Sequence, residues 1–173
     1  MSDIINLYLN QIILSILLSL NTVNQNTLNY SDIRLIEEGT VTRVIDGDTI
    51  EVFENNHVSK IRLIGVNTPE TLDPRKEVEC FGLEASMFLK KELEGKKVKL
   101  EADKTQTDKD TYGRDLRYVF LNDININKKI IEEGYGFEFT YKKPYFYQED
   151  FKKSEKLAKE NNKGLWNKDA CNY

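Results

Sequence analysis

The stretch from Gly39 to Pro69 constrains the fold more than any other part of the chain. GTVTRVIDGDTIEVFENN places β-branched and other apolar residues on both sides of a short Asp-Gly-Asp turn, which predicts two strands. HVSKIRLIGVNTP predicts a third strand, entered through the polar ENNHVSK stretch. Val58, Ile61, Leu63 and Gly65 do not alternate cleanly, which predicts a bulge near Gly65.

Three helices are predicted among further strands. Gly82–Gly95 reads as a helix with Leu83, Met87, Phe88 and Leu93 toward one side and Gly95 as its stop. KKVKLEAD alternates Val98, Leu100 and Ala102 as a strand, and RDLRYVFLNDININ reads as a strand, a tight Asn-Asp turn and a short return. KKIIEEGYG is a short helix ended by Gly134. YQEDFKKSEKLAKENNKGLW is a final helix with Phe151, Leu157 and Ala158 on its apolar side. Strands and helices do not alternate as βαβ units, so a doubly wound parallel sheet is excluded. The pattern fits an α+β domain, a five-stranded Greek-key barrel of the OB type with helices around it.

Composition narrows the chemistry. The 173 residues suffice for one domain with a proper core, and 39% hydrophobic with 31% charged residues describe a globular chain. A net charge of −4 argues against coating nucleic acid through bulk charge, but leaves room for a local cationic site. Two cysteines and one histidine cannot build the usual structural zinc site. His57 reads as a solvated loop residue, so any metal chemistry falls to oxygen ligands.

The N-terminus differs from the rest. Ile4–Leu20 is mostly Ile and Leu without charge, but it lacks a basic n-region and a small-residue cleavage site. Residues 1–22 therefore read as a signal peptide or membrane anchor, with an extra docked helix as the alternative. Residues 23–36 read as a polar linker, 37–169 as the folded domain and 170–173 as a tail.

Three places can carry chemistry. Asp46 and Asp48, two apart around Gly47, can point to one side of an extended chain and begin a site for a hard cation. In RLIGVNTPE, Pro69 ends the strand and gathers the Asn67 amide oxygen, the Thr68 carbonyl and the Glu70 carboxylate near Arg62. In TYGRDLRY, Gly113 permits a sharp entry and Arg114 opens the next strand. Taken singly, each is better read as a turn, a rim arginine or a solvated charge. Together they supply what phosphodiester hydrolysis needs: a carboxylate to activate water, fixed cations for the transition state and oxygens for a metal.

VIDGDTIEV, RLIGVNTPET, CFGLEASMFLKKEL, YGRDLRYVF and SEKLAKENNKGLW, in that order from about Gly39 to Trp166, resemble the staphylococcal nuclease (thermonuclease) family. The resemblance implies an OB-fold barrel with three helices. It also implies a Ca²⁺-dependent endonuclease, with one ion per site, that cuts single-stranded DNA and RNA and leaves 3′-phosphate ends. By this likeness Asp48, Asn67 and Thr68 are metal ligands, with Asp46 supporting them from behind. Glu70 is the general base, Arg62 and Arg114 hold the scissile phosphate, and Tyr112 lies beside it. The family's base-stacking tyrosine falls on Thr140 without a gap, or on Tyr141 with a one-residue shift, and Tyr141 is the one able to stack.

The secreted family type has aspartate where this chain has Asn67, and lysine where it has Thr111. An amide oxygen can still ligate Ca²⁺, with one charge fewer, and another divalent cation could serve. Within this frame Cys80 and Cys171 read as a disulfide that agrees with export, against the alternative of two free thiols. The expectation is a monomeric secreted or periplasmic nuclease, tethered if the N-terminus is retained. Two other classes stay open: a non-catalytic nucleic-acid or protein-binding module on the same barrel, and a tethered interaction domain with a vestigial site.

Overall fold

The computed structural model describes residues 36–71 and 78–171. The leader and all of the linker but Ile36 lie outside the described residues, as do residues 72–77 and 172–173.

Strand β1 (Ile36–Asp46) pairs antiparallel with β2 (Thr49–Glu54), with Asp46 opposite Thr49 across the Gly47-Asp48 turn. β2 pairs with β3 (His57–Leu63) through Asn55 and Asn56, at φ 46° and 64°. Both turn residues thus have the positive φ that a tight hairpin requires and that asparagine tolerates. His57 is therefore the first residue of β3 rather than a turn residue.

β1 is long enough to serve two partners. Its first half, Ile36–Thr40, pairs with β5 (Lys97–Glu101), and the register with β2 shifts between Val41 and Arg43 and between Val44 and Asp46. These irregularities lie in β1, not near Gly65 as expected. At Gly65 the chain turns at φ +75° into β4 (Val66–Asn67), and a Cβ there would lie 2.5 Å from the Tyr145 ring. Only glycine meets both demands.

β6 (Asp115–Leu121) pairs antiparallel with β5 and parallel with β3, Arg62 lying opposite Leu116. The β3–β6 pairing closes β1, β2, β3, β5 and β6 into a five-stranded barrel. β7 (Ile124–Asn125) extends β6 across Asn122 and Asp123, both at positive φ, and β4 pairs with β8 (Phe137–Glu138). The closure is bolted by Asn127, which is fully buried. Its amide donates to the Ile64 and Arg117 carbonyls, and its Oδ1 accepts from Val119 N.

Helix α1 (Gly82–Leu93) buries Gly82, Ala85, Leu89 and Leu93. Leu83 and Met87 are exposed, contrary to the expectation from apolarity. The inner stripe starts with small residues because the helix start presses on the strand exit. A Cβ on Gly82 would lie 3.0 Å from the Pro69 carbonyl oxygen. α2 (Ile126–Glu132) is capped by Asn125, which accepts from Lys128 N. α3 (Gln148–Glu160) buries Phe151, Ser154 and Ala158, whereas Leu157 is exposed, again a correction. A short 3-10 turn, Gly164–Trp166, follows. Val41, Ile50, Ile61, Leu63, Leu100, Tyr118 and Phe151 are among the side chains that fill the core.

Candidate active site

The Asp-Gly-Asp turn folds onto the exit of β3 and β4. The Asp48 amide donates to Asp46 Oδ1 at 3.1 Å, and Leu63 N donates to the Asp48 carbonyl at 3.0 Å. Gly47 permits the approach: a Cβ there would lie 2.7 Å from Thr68 Oγ1 and 2.9 Å from Ala85 Cβ. Asp48 is thereby buried. Its Oδ2 accepts from Arg62 Nη2 at 2.9 Å and from Thr68 N at 3.2 Å, and its Oδ1 accepts from Thr49 Oγ1 at 2.9 Å.

Arg62 faces inward. Nη1 donates to the Leu63 and Val66 carbonyls at 2.8 and 2.7 Å, and Nη2 also reaches Asn67 Oδ1 at 3.3 Å. The guanidinium thus organises the β3–β4 turn while neutralising Asp48. A charge this buried needs such partners, because an unpaired one would cost several kcal/mol.

Arg114 arrives from another part of the chain. Asp110 begins an Asp-Thr-Tyr-Gly turn: its Oδ1 accepts from the amides of Tyr112 and Arg114, and its Oδ2 from Arg114 Nε at 2.7 Å. Gly113 takes φ +78° to complete the turn. Burial pushes the Asp110 carboxyl up, but the bonds from Arg114 and Tyr112 outweigh it and hold the carboxyl below its ordinary range. Arg114 Nη1 then donates to Thr49 Oγ1 at 3.3 Å. Thr49 is the link, joined on one side to Asp48 and on the other to Arg114. Asp110 and Thr49 were both missed in the sequence. The Asp-x-x-Gly spacing was a signal for the first; for the second nothing local was.

The structure therefore brings Asp46, Asp48, Arg62, Asn67, Thr68 and Arg114 into one hydrogen-bonded network. Glu70 follows Thr68 by two residues. Its Oε1 accepts from Thr71 N at 2.9 Å, and its amide donates to Glu79 Oε2. Tyr112 stands exposed, with the Arg114 guanidinium 5.3 Å from its ring centre. Tyr141 lies beyond β8, where it stacks on Phe139 with Lys142 over its face, outside the network. Cys80 and Cys171 are bonded, with Cα atoms 5.7 Å apart.

A closed barrel that gathers two arginines and two carboxylates beside its first hairpin has the groups that hydrolysis of a phosphodiester needs. Comparison with known proteins gives the chain its family. The staphylococcal nuclease homologue family model matches residues 60–168. The thermonuclease of Staphylococcus hyicus is 44% identical over 126 residues, 73% of this chain and 73% of that protein. The thermonuclease of Staphylococcus intermedius is 39% identical over 130 residues, covering 75% and 76%. The SPbeta prophage-derived endonuclease YokF of Bacillus subtilis is 34% identical over 132 residues, covering 76% of this chain and 44% of that protein. The chain belongs to the staphylococcal nuclease family.

Membership implies a divalent metal, and the donor set fits one. Asp48, the Asn67 amide oxygen and the Thr68 carbonyl are all hard oxygen donors, with the Asp46 carboxylate beside Asp48. Burial first, and then the charge of Asp48, push the Asp46 carboxyl up to about 6, against the pull of Arg62. Two crowded carboxylates, of which the guanidinium bonds only Asp48, are an arrangement a cation relieves. Among the described residues no three acidic, histidine or cysteine side chains converge. Asp48 already accepts three hydrogen bonds, which leaves roughly one of its four lone-pair sites. Amide, carbonyl and water oxygens would have to complete the shell.

Proposed function

We propose that this chain is a Ca²⁺-dependent endonuclease that cuts DNA and RNA and leaves 3′-phosphate ends. The observation that carries the reading is the Arg62–Asp48–Thr49–Arg114 network, which holds two cations at fixed positions beside the exit bearing Glu70. Glu70 takes a proton from water as the water oxygen attacks phosphorus, and the bond from phosphorus to the 5′ oxygen breaks, that oxygen taking a proton from solvent to leave as the 5′-hydroxyl. Among the described residues nothing accepts from Arg114 Nη2, whose hydrogens are left for phosphate oxygens, while the charge of Arg62 is held in place by Asp48. Asp48, Asn67 and the Thr68 carbonyl would hold Ca²⁺, which when bound polarises a phosphoryl oxygen. Tyr112 lines the approach and Tyr141 offers a stacking face for a base. The apolar Ile4–Leu20 segment supports export, or tethering if it is retained, and the protein acts as a monomer.

The test is hydrolysis of a single-stranded DNA oligonucleotide with Ca²⁺, with chelator, and by Glu70→Gln. Activity is expected only in the first arm, the Glu70→Gln loss being about 10²–10⁴-fold. Equal activity in all three sinks the reading. Binding without hydrolysis in any arm favours a binding module.

A further inference from the structure

Two hydrogen bonds of opposite sense join Glu70 to Glu79. The Glu70 amide donates to Glu79 Oε2 at 3.0 Å, and the Glu79 amide donates to the Glu70 carbonyl at 2.9 Å. Both backbone polar groups of Glu70 are therefore bound to one residue. Glu79 is itself held from the other side. Cys80 follows it and is bonded to Cys171, and Gly82 N donates to the Glu79 carbonyl at 3.0 Å as α1 begins.

We propose that Glu79 is a positioning residue for Glu70, and that the Cys80–Cys171 bridge keeps it in place. The proposal rests on the reading of Glu70 as the general base. The physical argument is geometric. Once the Glu70 amide and carbonyl are pinned, the placement of its carboxylate depends only on its side-chain torsions. Reaction rates are sensitive to displacements of about 1 Å in such a group. The Glu79 side-chain contact is at an exposed position, where water replaces a lost bond at little cost in stability.

The experiment uses the full chain, single-stranded DNA and Ca²⁺, at a temperature where circular dichroism shows every variant folded. Glu79→Ala is expected to lower kcat by about 10–10²-fold with KM within about twofold. Glu79→Gln should recover most of the activity, since its amide oxygen still accepts from Glu70 N. The double variant Cys80→Ser/Cys171→Ser should lose kcat in the same direction. Glu79→Ala placed on Glu70→Gln should cost nothing further, because the group being positioned is gone. Loss in Glu70→Gln with unchanged kcat in Glu79→Ala overturns the proposal alone. So does a full additional loss in the Glu70→Gln/Glu79→Ala pair. Full activity in Glu70→Gln instead overturns the reading of Glu70 beneath it.

Discussion

The two arginines differ in what they leave for a ligand. Arg62 directs Nη1 and Nη2 to Leu63, Val66, Asn67 and Asp48, whereas among the described residues the Arg114 side chain hydrogen-bonds only to Asp110 and Thr49. Arg114 is therefore the side chain able to tighten on a phosphate as charge builds. Arg114→Ala should lower kcat by about 10²–10³-fold with little change in thermal stability, measured by steady-state kinetics beside a melting curve. Arg62→Ala, by contrast, strands a buried carboxylate and should lower stability as well. Asn67 raises the opposite question, since it accepts from Arg62 as a neutral amide. Asn67→Asp adds a charge to the proposed donor set itself, and the Coulomb gain survives desolvation only in part. The Ca²⁺ concentration for half-maximal activity should fall about tenfold, read from a calcium titration of the rate.

Between elements, the carboxylate of Asp103 joins the chain after β5 to the segment leading into α3. Its Oδ2 accepts from Tyr118 Oη at 2.6 Å and Phe146 N at 2.8 Å, and its Oδ1 accepts from Thr105 N and Oγ1. Burial pushes the carboxyl up, but these donors together hold it below its ordinary value. A depressed carboxylate stabilises the fold fully above its unfolded pKa of about 3.9, and that stabilisation is lost as pH falls through the folded value. Asp103→Asn should cost about 1–3 kcal/mol at pH 7. The gap to the parent should close in acid, below about pH 4, as urea midpoints at both pH values would show. The helices at this scale show where apolarity misled. Leu83, Met87 and Leu157 are exposed, while Gly82, Ala85 and Ser154 are buried. Close approach selects small side chains, which a pattern of large apolar residues does not mark.

Across the whole molecule, the Cys80–Cys171 bridge joins residues 91 apart, from the start of α1 to the tail. A loop of that size restricts the unfolded chain strongly, so Cys80→Ser/Cys171→Ser should lower unfolding stability by about 2–4 kcal/mol, measured in urea. The hairpins and the five strands of the barrel were legible in the sequence, whereas the short pair β4 and β8 was not. Turn chemistry and β-branched runs act between near neighbours, and each motif carries its own residues with it. The network was not legible. Thr68 meets Asp48 across 20 residues once β2 and β3 pair, and Arg114 meets Thr49 across 65 once β3 and β6 pair. Thr49 and Glu79 look ordinary in the chain and are set apart only by what lies beside them in the fold. The sequence by itself determined the barrel's strands and the chemical groups at its mouth, because these follow from local preference. Only the tertiary structure decided which group holds which, because hydrogen bonds between distant residues depend on barrel closure.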